Sequence, residues 1–168
     1  MAKHFPDCEI VIFGLDYDGT IGAANYKHIE NIHFLSPLPY EELPNHAAWF
    51  DIGIIPFKVH AVTNSTSPIK MFEYMSLGLP IVTTAMPECK AEIHVMSADS
   101  HDEFLHFIEE ALRRREDQAY QKMLIEYAYS HHSWDQRCDA ILKGLIRLST
   151  QHHIPSEDVL ALMNDFDE

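Results

Sequence analysis

Apolar residues in this chain fall into short runs and longer stripes, and the two alternate through its first hundred positions. Ile10, Val11, Ile12 and Phe13 form a run closed by Gly14, which predicts a buried strand over 9–14. A second strand is predicted over 31–35. Tyr40, Leu43, Ala47 and Phe50 recur at helical spacing, with Glu41 and Glu42 early, and predict a helix over 39–50. A third strand over 51–57 is stopped near Pro56. A helix over 68–77, a strand over 80–84 and a short strand over 93–96 follow. Strands of β-branched residues separated by helices predict a parallel sheet covered on both faces.

The second half is helical. Phe104, Leu105, Ile108 and Leu112 make one stripe over 102–115, with Asp102 and Glu103 first and Arg113, Arg114 and Arg115 last, an order that complements the helix dipole. Two further amphipathic helices are predicted over 117–129 and 133–150, and a short last one over 156–165. No linker, repeat or low-complexity tract interrupts the chain, so residues 1–168 read as one α/β domain: a doubly wound, Rossmann-like parallel sheet with an α-helical C-terminal tail.

Composition narrows the function. The chain has 168 residues, 46% of them hydrophobic and 23% charged, a globular balance. No apolar run approaches the ~18 residues of a membrane span, and no apolar segment follows a basic one at the start. Twelve basic against 26 acidic residues give a net charge of −14, which repels a phosphate backbone and argues against nucleic-acid binding. Cys8, Cys89 and Cys138 are odd in number and far apart, so neither a disulfide framework nor a metal site is expected, and a cytoplasmic setting is.

The stretch 63–80 carries the candidate chemistry. Ser67 suits an N-cap, Pro68 the first helical position, Gly78 the left-handed position after the last turn, and Pro80 stops continuation. The helix start then lies at the carboxyl end of a strand, where open α/β sheets bind ligands. Free backbone N–H groups and the helix dipole prepare that start for an anion. Thr63, Asn64, Ser65 and Thr66 lead into it, and the hydroxyls of Thr63, Ser65, Thr66 and Ser67 can add donors. Lys70 adds a full charge, and Glu73, three residues on, can accept from a ribose diol. The same residues also read as a routine cap beside a solvated Lys–Glu pair.

Further features weight the first alternative. The run from Ser67 through Pro68, Lys70, Glu73, Tyr74, Gly78 and Pro80 follows Asp51, Ile52, Gly53, Ile54, Ile55, Pro56 and Phe57. Before it stand Asn31 to Leu35 and Pro39 to Pro44; after it stand Ser133, Trp134, Asp135, Gln136 and Arg137. In this order they resemble the carboxyl-terminal, donor-binding domain of group 1 GT-B glycosyltransferases of bacterial polysaccharide synthesis, over most of residues 5–147. The resemblance implies a nucleotide-sugar donor, with its diphosphate on Ser67, Lys70 and the helix start. It implies Glu73 on the ribose hydroxyls, and Phe57 and the 63–66 loop bordering sugar and diphosphate. It implies no cofactor and no bound metal. Ser65 stands where many relatives carry a second Glu facing the sugar. It further implies an upstream acceptor domain and a first central strand, both outside this sequence. On this reading the chain is incomplete, inactive alone, and able to reach a membrane only as part of the full-length enzyme.

Two other signals compete. Asp16, Asp18, Gly19 and Thr20 after an apolar strand resemble the motif of haloacid-dehalogenase-type phosphatases, with Asp16 as nucleophile, Asp18 as acid/base and Mg²⁺ between them. Thr84, Lys90 and Asp99 follow in the required order but crowd into too few residues. A non-catalytic nucleotide-sugar or interaction module is the third alternative. The twelve histidines show no zinc spacing, because His131 with His132 and His152 with His153 are adjacent pairs. Arg113 to Arg115 read as an exposed helix end, and Trp49 and Trp134 as core anchors.

Overall fold

A computed structural model describes residues 1–16, 19 and 25–151. The predicted helix over 156–165 lies outside the described residues, as does Asp18.

Among the described residues five short strands form: β1 (Ile10–Phe13), β2 (Ile32–Leu35), β3 (Gly53–Ile55), β4 (Ile81–Thr84) and β5 (Val95–Ala98). Every pairing is parallel. The helices are α1 (Leu43–Ala47), α2 (Ile69–Ser76), α3 (Pro87–Ala91), α4 (His101–Arg114), α5 (Gln118–His132) and α6 (Trp134–Gln151). The α/β, Rossmann-like architecture with a helical tail is as expected. The single continuous sheet is not: the hydrogen bonds divide the strands into β1–β2 and β3–β4–β5.

The ladders show what separates the two groups. Ile10 N–H donates to Asn31 O and Gly14 N–H to Leu35 O, so alternate residues of β1 face β2 and the backbone groups of Val11 and Phe13 face away. Gly53 N–H donates to Pro80 O, so Ile54 turns its backbone away from β4. Among the described residues no strand pairs with either of these edges.

Alternation along β3 and β4 builds two cores. Ile55 and Ile81 pack with Met71 and Met75 of α2 and Leu124 and Ala128 of α5. Val82 and Ala98 pack with Phe104, Ile108 and Ala111 of α4, joined by Ile52, Ile54, Met1 and Phe5. The amino-terminal turn reaches that second cluster through Met1 and Phe5, and Phe13 of β1 stacks its ring on Phe50, ahead of β3, at 6.4 Å. Asn31 ties the amino-terminal turn down by donating to the carbonyls of Ala2, Phe5 and Cys8.

Caps set the helix limits. Ser100 Oγ accepts from Glu103 N–H at the start of α4, and Asp117 Oδ1 accepts from Ala119 and Tyr120 N–H at the start of α5. At the end of α2, Gly78 has φ 72°. Its N–H donates to Met75 O and that of Leu79 to Tyr74 O, both at 3.0 Å, the paired bonds of a Schellman ending.

Four further expectations are corrected. The predicted helix over 39–50 is a 3₁₀ turn at Tyr40–Glu42 followed by the five-residue α1. Trp49, expected as a core anchor, lies past the end of α1 and stands 87% exposed, while Phe50 turns toward Phe13. Trp134 opens α6 and is 76% exposed: the first residue of a helix that departs from α5 at Ser133 has no packed layer over it. The fourth correction, at Ser67, belongs to the site.

Candidate functional site

The carboxyl ends of β3 and β4 and the starts of α2 and α3 converge. Phe57 follows β3, and its carbonyl accepts from Thr84 Oγ1 at the end of β4 at 2.6 Å. That bond holds the two strand ends together and sets the exposed Phe57 ring at the mouth of the loop 58–67. The loop contains a 3₁₀ turn over Thr63–Ser65 and leads into α2. Ser67 Oγ donates to Glu88 Oε1 in the first turn of α3, at 3.3 Å.

Ser67 is not the N-cap. The helix begins at Ile69, so the buried Pro68 occupies the cap position with φ −74° and ψ 105°, and no side chain caps the helix. Pro68 is itself extended, so the first helical residue is Ile69 and the cap position lies one residue beyond Ser67. The consequence suits an anion site. The N–H groups of Ile69 and Lys70 precede the first intrahelical bonds, and no side-chain acceptor takes them.

The hydroxyls expected to donate to an anion point elsewhere in this structure. Thr63 Oγ1 donates to Lys58 O at 2.8 Å and accepts from His60 N–H. Ser65 donates to Ala61 O and Thr66 to Thr63 O. They rigidify the loop ahead of α2, and Asn64 stays exposed at its turn. Lys70 is exposed in the first turn of α2 and forms no ion pair among the described residues. Glu88 brings a negative charge beside the same helix start, which tempers the field an anion would meet.

Glu73 faces away from the core, half-buried, and accepts a hydrogen bond from Tyr40 Oη at 2.7 Å. That bond, with the nearby carboxylate charge, pushes the Tyr40 phenol up from its ordinary value. Burial, followed by the same charge, pushes Tyr74 up. Burial also pushes up the fully buried Cys89 thiol, which lies beside the site and is thereby unsuited to act as a nucleophile.

Tyr40 and Glu88 are the residues that sequence reasoning missed. Tyr40 is 33 positions from Glu73 and shares no element with it. Glu88 sits on a five-residue helix, too short for its periodicity to show.

Of the residues of the phosphatase alternative, Asp18 and Thr20 lie outside the described residues, and those of the later part are engaged with one another or with the backbone. Thr84 is bonded to Phe57 O, and Lys90 pairs with Asp99 at 2.5 Å. Among the described residues no group of three His, Cys, Asp or Glu could hold a metal ion. Nor is any described helix long and apolar enough to cross a membrane.

The family model described as "Glycosyl transferase-like" matches residues 1–143. The chain belongs to that family. It is 26% identical over 128 residues to "Putative teichuronic acid biosynthesis glycosyltransferase TuaH" of Bacillus subtilis (strain 168), a match covering 73% of this chain. The same match covers 32% of that relative, so the chain spans about a third of its length. No solved structure matches.

Proposed function

We propose that the chain is the donor-binding part of a GT-B glycosyltransferase of cell-surface polysaccharide synthesis, and that it binds a nucleoside-diphosphate sugar across the start of α2. The observation that carries the reading is that uncapped start, with an unpaired lysine in its first turn and a carboxylate one turn on, in a chain of this family. The diphosphate would meet the N–H groups of Ile69 and Lys70 and the Lys70 ammonium. Glu73 would accept from the ribose diol. Phe57, Thr63, Asn64, Ser65, Thr66, Ser67 and Pro68 would form the wall on the sugar side.

In the reaction an acceptor hydroxyl forms its bond to the anomeric carbon while the bond to the diphosphate oxygen breaks, and the hydroxyl loses its proton. The chemistry this domain supplies is stabilisation of the departing negative charge by oriented N–H groups and Lys70, a task that asks for no metal. The acceptor and the base that takes the proton belong to a further, acceptor-binding part. The length of the relative supports such a part. The complete enzyme would work in the cytoplasm, at the membrane face where polysaccharide precursors are assembled.

Calorimetric titration of the chain with nucleoside diphosphates tests the reading. Binding persists in chelator, and Lys70→Ala weakens it by roughly tenfold or more, as loss of a charged hydrogen bond requires. Absence of binding to every nucleoside diphosphate rejects the reading. Binding that never leads to turnover, even with an acceptor part supplied, marks a non-catalytic nucleotide-sugar module instead.

A further inference from the structure

We propose that Tyr40 is a positioning residue for the nucleotide: its phenol holds Glu73 in the orientation that accepts from a ribose diol, and so makes the site select ribonucleotides over deoxyribonucleotides. The inference rests on the function proposed above.

Tyr40 opens the 3₁₀ turn that follows β2, in the first half-sheet; Glu73 lies in the second turn of α2, in the second. The bond from Tyr40 Oη to Glu73 Oε1 at 2.7 Å therefore joins the two halves of the fold at their ligand-facing ends. A glutamate on a helix surface has three rotatable bonds, and no ion pair among the described residues fixes this one. Ser76 Oγ bonds the Glu73 carbonyl and leaves the carboxylate untouched. Tyr40 is the side chain that orients it.

The stoichiometry suits a diol. A carboxylate offers about four lone-pair positions, two on each oxygen. Tyr40 takes one on Oε1, so one remains there and Oε2 keeps both. The two hydroxyls of a ribose can then each donate to one oxygen of a carboxylate already in place. The raised pKa of the Tyr40 phenol keeps it a donor throughout the neutral range. A carboxylate held before binding loses little freedom on binding, which is the gain from preorganisation.

The test compares UDP, GDP and ADP with their 2′-deoxy counterparts, on the intact chain and on Tyr40→Phe, which keeps the ring and removes the donor. The unaltered chain binds its preferred ribonucleotide about tenfold more tightly than the deoxy form. Tyr40→Phe weakens the ribonucleotide to near the deoxy value and leaves the deoxy form unchanged. Glu73→Gln does the same, and the double variant is no worse than Glu73→Gln alone, because the two side chains act as one unit. A Tyr40→Phe protein with unchanged discrimination overturns the proposal. So does one weakened equally for both sugars, and so does a Phe variant equal to the parent beside a weak Tyr40→Ala, which would assign the effect to the ring. If the unaltered chain binds no nucleotide, it is the underlying functional reading that fails.

Discussion

The ring of Tyr74 lies where a Cβ on Gly53 would stand. Gly53 is the first residue of β3 and Tyr74 sits on α2, so this contact sets how closely the helix carrying Lys70 and Glu73 approaches its sheet. Gly53→Ala must push the ring and its helix outward. A loss of about 1–3 kcal/mol is expected from such overpacking, measured as a lower urea midpoint. A variant as stable as the parent would show that the helix is not held at this distance.

Gly78 ends the same helix with φ 72°, and a Cβ there would approach Gln121 O at 3.1 Å. Gly78→Ala combines left-handed strain with that contact. Destabilisation of roughly 1–3 kcal/mol is expected, with the far-UV spectrum unchanged. Asparagine, which tolerates the left-handed region better, should cost less than alanine on the backbone side.

His132, near the end of α5, lies 3.0 Å from Glu92 and near Arg137 and His131. Burial lowers its pKa first; the charges of Arg137 and His131 lower it further, against the pull of Glu92. A histidine lowered in the fold binds its proton more readily in the unfolded chain. Its contribution is therefore complete above about pH 6.5 and is lost as pH falls from there toward the folded value. Thermal unfolding at pH 7.5 and 5.5 should show a larger drop in Tm for the parent than for His132→Gln. Equal drops would place the acid sensitivity elsewhere.

Glu88 stands beside the start of α2 through its bond with Ser67. Glu88→Gln keeps an acceptor for that hydroxyl and removes a negative charge. A nucleoside diphosphate should bind a few-fold more tightly to this variant at low salt, a gain of about 0.3–1 kcal/mol that shrinks as salt rises. Unchanged affinity across salt concentrations would mean that the diphosphate lies away from the start of α2.

The sequence determined those features whose causes are local. Short apolar runs marked the five strands of the described residues, β5 forming two residues later than its run, and the Ser100 and Asp117 caps and the Gly78 ending lie within a residue or two of where the pattern predicts helix limits. The same locality made the start of α2 legible as a candidate site, because Pro68, Lys70 and Glu73 lie within six positions at one helix start. Tertiary structure decided what depends on residues far apart. It divided the strands into two groups, since hydrogen bonding needs a neighbour that no single strand specifies. It left Trp49 and Trp134 in solvent, because burial depends on the layer above a side chain and not on its hydrophobicity. It brought Tyr40 to Glu73 and Glu88 to Ser67 across 33 and 21 positions, by folding strand ends and helix starts to one side of the sheet.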